Sequence, residues 1–117
     1  MNINPIIESA LSGLFHNSKA VNIAPLVLDT AKKGECYCTY YTYLDQDEYF
    51  ADDEPVGGNT YGTVDVFCKG NYKSLIKEIK QRLQHVGFRV KIGPEQYEQD
   101  TKFYHVSINV NIENTEV

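Results

Sequence analysis

Apolar residues recur at three- and four-residue spacing near the start of the chain. Ile3, Ile6, Ile7, Ala10, Leu11, Leu14 and Phe15 form one stripe, which predicts an amphipathic helix over residues 4–16. Asn4 is placed to cap it and Pro5 suits its first turn. Residues 20–28 are apolar but interrupted by Pro25, the pattern of a short edge strand followed by a loop. From residue 35 to 44 the period changes to two. Cys36, Cys38, Tyr40, Thr42 and Leu44 share one face, and Tyr37, Thr39, Tyr41 and Tyr43 the other.

A second alternating run, residues 60–68, sets Val64, Val66 and Cys68 toward a core and Thr63, Asp65 and Phe67 away from it. Residues 45–59 between the two runs predict a loop or long acidic hairpin tip, with Gly57-Gly58-Asn59 as a turn. The helical period returns over residues 71–86, where Tyr72, Leu75, Ile76, Ile79, Leu83 and Val86 form a stripe. Gly87 is suited to the left-handed position after a helix, and Phe88 to packing back. Residues 88–92 predict a short strand stopped by Gly93-Pro94, and residues 94–101 a polar connection. In the last strand, residues 103–112, Tyr104, Val106, Ile108, Val110 and Ile112 face in. His105, Ser107, Asn109 and Asn111 face out.

This order predicts one α+β domain over residues 1–117. Its architecture is a two-layer sandwich: an antiparallel or mixed sheet of about four strands with two helices packed on one face. The tyrosine-rich face is then left uncovered, and Tyr37, Tyr41, Tyr43 and Phe67 form a candidate association patch there.

Composition narrows the function. The 117 residues carry a net charge of −5, so the basic footprint of a general nucleic-acid binder is missing. No apolar run approaches the ~20 residues of a membrane span. The first residues lack the basic and apolar pattern of a signal peptide, which leads to the expectation of a protein made and kept in a reducing cytoplasm. The charge is segregated. Lys69, Lys73, Lys77, Lys80, Arg82, Arg89 and Lys91 hold most of the positive charge, while Asp45, Asp47, Glu48, Asp52, Asp53 and Glu54 crowd one segment. Lys73, Lys77 and Lys80 fall on one helix flank. An acidic tip and a basic flank are complementary, so head-to-tail contact between copies would pair them and can close a ring. Asp47, Glu48, Asp52, Asp53, Lys73, Lys77, Lys80, Tyr41 and Tyr43 are the subunit-interface candidates.

Candidate chemistry is sparse. Cys36-Tyr37-Cys38 lacks the spacing of a zinc knuckle, and three cysteines make a poor disulfide framework, so Cys36, Cys38 and Cys68 read as small buried hydrophobes. His16, His85 and His105 are scattered and no cysteine carries a nucleophile signature. A calcium loop starting at Asp45 would want an oxygen ligand and a glycine where Tyr49 and Phe50 stand. No catalytic, cofactor-binding or metal-binding residue is assigned, and the expectation is a protein without enzymatic activity or cofactor.

The segment from Val64 through Asp65, Phe67, Lys69-Gly70-Asn71-Tyr72, then Gly87-Phe88, then Tyr97 with Asp100-Thr101, Phe103, Tyr104 and His105, resembles the small tail-terminator or tail-to-head joining proteins of long-tailed phages and prophages. Relative to the family's step into the second helix, the aromatic falls one position later, at Phe67 in place of Val66. The resemblance covers residues 35–113 and implies a non-enzymatic virion-assembly role. Such proteins form rings, typically hexamers, that end the tail tube and dock the head connector. The implied partners are further copies of the chain, the tail-tube protein and the head connector, with no membrane. DNA passes through the ring without tight binding, which suits a net negative charge. The implied location is the head–tail junction of the virion, after assembly in the host cytoplasm. The competing expectations are a small cytosolic regulatory or ligand-binding domain acting through its sheet face, and an enzyme with an unrecognised Cys–His site.

Overall fold

The computed structural model describes residues 2–16, 19–25, 35–51 and 54–115, with backbone alone at 44–51, 54–56 and 114–115. Helix α1 spans Asn4–Leu11, and two short strands follow, β1 at Phe15–His16 and β2 at Lys19–Ala20. Then come β3 (Asn22–Pro25), β4 (Cys36–Ala51), β5 (Glu54–Cys68), helix α2 (Lys73–His85), β6 (Arg89–Glu98) and β7 (Phe103–Thr115). The main sheet has five strands in the order β3-β4-β5-β7-β6, and β1 and β2 pair separately. The sheet is mixed, because β3 runs parallel to β4 while the other neighbours are antiparallel. The two-layer α+β reading therefore holds, with one strand more than expected.

The core lies between one sheet face and the helices. Ile7 and Leu11 from α1 meet Leu75, Ile79 and Leu83 from α2 over Cys38, Tyr40, Val64, Val66, Val106, Ile108 and Val110. These are the residues whose alternation or helical spacing pointed inward, since a period of two turns every second side chain of a strand to one face. The end of α2 follows its sequence signal: Gly87 has φ +105°, and the Phe88 amide donates to the Leu83 carbonyl at 3.1 Å. Both features belong to a left-handed helix cap. Phe88 is buried, whereas Val86 at the end of the stripe is exposed.

Four boundaries depart from the expectation. Helix α1 stops at Leu11 instead of continuing to residue 16, because Gly13 takes a left-handed φ of +75° and turns the chain. Leu14 stays buried all the same, so its place in the helical spacing was coincidental. Asn4 is not the cap either: Ile3 holds that position, the Asn4 amide donates to Asn2 Oδ1, and Asn4 Oδ1 accepts the Thr42 hydroxyl at 2.9 Å. The expected strand over residues 88–92 runs on through Gly93-Pro94 with a bulge between Ile92 and Glu95. Proline is tolerated there because β6 is an edge strand and one of its sides forms no ladder.

The fourth correction concerns the acidic segment. Residues 45–51 and 54–59 are strand, so of the two expected forms the long hairpin holds and the loop does not, and Ala51 pairs with Glu54 at the hairpin's far end. Gly57, Gly58 and Asn59 do not turn. They lie inside β5, with Gly58 paired to Asp47 on one side and Asn114 on the other. Register shifts after Thr42 and after Asp47 bend this hairpin and interrupt its strict alternation.

Gly62 sets how closely α1 sits on the sheet. A Cβ there would lie 2.8 Å from the Tyr41 carbonyl oxygen and 2.9 Å from Ile3 Cδ1. The side chain can yield but the carbonyl is held in the β4–β5 ladder. Gly62→Ala is expected to cost about 1–3 kcal/mol in urea unfolding. Gly70→Ala, where nothing lies within 4 Å, should stay within about 0.5 kcal/mol of the parent chain.

Candidate functional site

The helices cover one face of the sheet, and the opposite face carries its polar and aromatic side chains in register. Three layers cross it from β4 to β7. In the first, Tyr37 opposes Phe67 and Phe67 opposes His105. Tyr37 stacks on Phe67 with ring centroids 4.6 Å apart, Phe67 stacks on His105 at 4.3 Å, and Phe103 meets Tyr37 edge-on at 5.3 Å. Lys69 Nζ sits 5.1 Å from the Phe103 ring centroid, within cation–π range. Tyr37 and Phe103 are buried, with Phe67 and Ala24 packed against them, so this end of the face has its own small core and Tyr37 does not belong to an exposed patch as expected.

In the second layer Asp65 faces Ser107 across the β5–β7 ladder. Its Oδ1 accepts from His105 Nε2 at 2.9 Å and from the Ser107 hydroxyl at 2.8 Å. The three residues are those of a hydrolytic triad, but the connectivity differs. Ser107 donates to the carboxylate and not to the imidazole, so His105 is not placed to take its proton. The arrangement satisfies a half-buried carboxylate and locks the ring of His105 under Phe67. In the third layer the Thr63 hydroxyl reaches Asn109 Oδ1 at 3.4 Å, and beyond it Tyr41, Tyr43 and Tyr61 form an aromatic strip with successive centroids 6.2 and 6.4 Å apart. Tyr43 is 53% exposed, whereas Tyr41 is half-buried.

The predicted interface residues fall into separate groups. Tyr41 and Tyr43 meet on the open face as expected. Lys73 and Lys77 are exposed and Lys80 half-buried on α2. Asp47 and Glu48 lie in the β4 half of the outer hairpin, and Asp52 and Asp53 fall outside the described residues. Within one chain the acids and the lysines belong to different parts of the fold. Asp47 pairs with Gly58 near the start of β5, and α2 begins beyond Cys68 at its other end.

The cysteines divide two to one. Cys36 and Cys68 are directly opposed across β4 and β5 with Cα atoms 4.1 Å apart and are joined as a disulfide. That departs from the expectation of three independent thiols. The hairpin register is the reason, since it brings two core-facing positions into one cross-strand pair. His16, which sequence reasoning left isolated, lies beside them: a ring nitrogen and both sulfurs all fall within 4.8 Å of one another. No periodicity could have signalled this, because the short strand β1, and not a helix, delivers the ring. Cys38 is free and fully buried, and burial, with a smaller contribution from the Asp65 charge, pushes its thiol up to about 12. Tyr40 is likewise raised to about 12, chiefly by burial and then by its hydrogen bond to Glu8, 2.7 Å long.

Neither a protein-family model nor a curated protein sequence matches this chain.

Two outcomes follow from these environments. Truncating Asp65 to alanine leaves His105 and Ser107 without their acceptor and should cost about 1–3 kcal/mol by chemical denaturation. Cys38 should resist iodoacetamide in the folded chain even at pH 9, near the ordinary thiol value of 9.0. The raised folded-state value stabilises the fold fully below that pH, and this contribution is lost as pH rises toward 12. Mass spectrometry should find Cys38 alkylated only after unfolding.

Proposed function

We propose that this chain is a structural, ring-forming subunit of a phage-type tail, one that ends the tail tube and joins it to the head connector. The observation that carries the proposal is the outer part of the β4–β5 hairpin. Contacts from α1 reach β4 at Tyr40 and Thr42, and a Cβ on Gly62 of β5 would meet Ile3. The hairpin continues beyond Leu44 and Tyr61 to the Ala51–Glu54 pair, with β7 alongside β5 as far as Gly57. That extension amounts to ~25 Å of strand past the helix layer. It gives the chain a principal extent of 52 Å against 25 and 23 Å across. A monomer gains little from so long a ribbon, whereas a ring subunit can lay it across its neighbour.

Other features support the same reading. The aromatic strip of Tyr41, Tyr43 and Tyr61 sits at the root of the hairpin. The acidic positions of the outer hairpin and the basic positions of α2 lie in separate parts of the fold, as a heterologous head-to-tail contact requires. The residues from Val64 to His105 that resemble the tail-terminator family build β5, the step into α2, and the β6–β7 connection. A ring, hexameric by that resemblance, would take a tail-tube end on one side and the connector on the other. Its net negative charge would let DNA pass without being held. The reading is of a non-enzymatic protein acting in the virion. A regulatory or ligand-binding domain is the second reading, favoured by the Asp65–His105–Ser107 cluster under Phe67 on the open face.

Sedimentation velocity and native mass spectrometry decide between them. Assembly into closed oligomers is expected at low salt, or on addition of polymerised tail tube. It should weaken in 1 M salt, where the Debye length falls to ~3 Å, and on reversing charge with Lys73→Glu and Lys77→Glu. A chain that stays monomeric at high concentration and leaves tail tubes uncapped, or an assembly indifferent to salt, would overturn the proposal.

A further inference from the structure

The His16–Cys36–Cys68 cluster lies on the helix-covered side of the sheet, away from the open face and the outer hairpin. Three observations make it more than a chance juxtaposition. First, the sulfurs come from directly opposed residues with Cα atoms 4.1 Å apart, so one atom placed between them can reach both. Second, His16 is held by backbone on each side. The Val21 amide donates to the Leu14 carbonyl at 2.9 Å beside the β1–β2 pair, and His16 Nε2 donates to the Asn71 carbonyl at 2.6 Å. A carbonyl only accepts, so in the neutral ring the Nε2 atom carries the proton and Nδ1 keeps its lone pair. A metal-ligating histidine is oriented by the same kind of bond from its other nitrogen to a carbonyl. Third, the cluster has both a dry side and a wet side. Cys68 is 1% exposed and Cys36 6% exposed, while His16 borders an open cleft of about 420 Å³ shared with Phe15, Ser74 and Gln81. Two carboxylates near the cluster have cationic partners: Glu35 pairs with Lys19 at 2.9 Å, and Glu78, which lines the cleft, pairs with Arg82 at 3.5 Å.

We propose that in its dithiol form this cluster is a binding site for a thiophilic divalent cation of the Zn²⁺ class. Cys36, Cys68 and His16 supply three ligands and the cleft supplies a water as the fourth. Two thiolates and one imidazole are the donor set that selects a borderline-soft ion over Mg²⁺ or Ca²⁺. In the metal form the two sulfurs, bonded to one another in the disulfide, would move apart and the imidazole nitrogen, within 4.8 Å, would close in, since Zn–S of ~2.3 Å and Zn–N of ~2.0 Å place tetrahedral donors ~3.5–3.8 Å apart. The disulfide and the metal form exclude one another. A phosphine reductant takes the pair from one to the other: it and one water give the phosphine oxide, and the S–S bond becomes two S–H bonds. Zn²⁺ then replaces the two thiol protons, which pass to the buffer. The site would thus be open only in a reducing environment, and loading it would tie β1 to the β4–β5 ladder.

The test uses the full chain, once oxidised and once reduced with a phosphine under argon, each titrated with Co²⁺ as a visible stand-in and then with Zn²⁺. The reduced chain should bind one Co²⁺, with the strong visible bands of a tetrahedral ion and sulfur charge transfer in the near ultraviolet. Zn²⁺ should displace it. The oxidised chain should show neither signal. His16→Ala should bind ~10-fold or more weakly, and Cys38→Ser should bind as the parent does. Absence of tetrahedral bands in the reduced chain overturns the proposal. So does unchanged affinity in His16→Ala, or binding that persists in concentrated urea, because only the fold brings residue 16 to residues 36 and 68.

Discussion

Everything in this fold depends on the register of β5. It is the central strand, paired with β4 on one side and β7 on the other over most of its length. A slip of one residue against either neighbour would turn Val64, Val66 and Cys68 out of the core and bring Asp65 and Phe67 into it. Both sides oppose such a slip. On the covered face, Val64 and Val66 are fully enclosed by the helices. On the open face, Asp65 has its hydrogen-bonding partners only where His105 and Ser107 now stand. The hydrophobic layer and the polar layer therefore specify the same alignment from opposite sides of one strand.

That alignment also makes the cysteine pair. Cys36 meets Cys68 because Cys38 meets Val66 and Tyr40 meets Val64. The pair closes the base of the hairpin, near the start of β4 and the end of β5. That cross-linked base is also helix-covered, since α1 reaches β4 at Tyr40 and Thr42. The proposed assembly contacts and the proposed metal site draw on different residues, except that Lys77 of the basic flank also lines the cleft beside His16.

Periodicity made much of the fold legible. The faces of β4, β5 and β7 and the core stripe of α2 follow from alternation and from helical spacing, and the Gly87-Phe88 cap follows from the backbone a glycine permits. The open-face cluster was half legible: the alternation put Asp65, Phe67, His105 and Ser107 on one side, but only the ladder register shows which of them touch. What failed were signals that two structures share. Gly57-Gly58-Asn59 has the composition of a turn, yet glycine also occupies a strand interior where another backbone comes close. Gly93-Pro94 reads as a break, yet an edge strand absorbs it as a bulge. Leu14 and Phe15 kept the helical spacing after Gly13 had ended the helix. His16 was unreadable as a neighbour of the cysteines, because that proximity arises from a two-residue strand and a backbone carbonyl far along the chain.

The position of β7 in the sheet bears on how the chain is made. During synthesis the β4–β5 hairpin can form as soon as Cys68 has emerged, but the partner for the other side of β5 follows only after α2 and β6. In that interval the middle strand of the finished protein is an edge, with a long row of unpaired amides and carbonyls. Nascent chains close together on one messenger would offer one another the same row, so the spacing of ribosomes, and any chaperone that covers a bare strand, would govern the yield of correctly closed sheets.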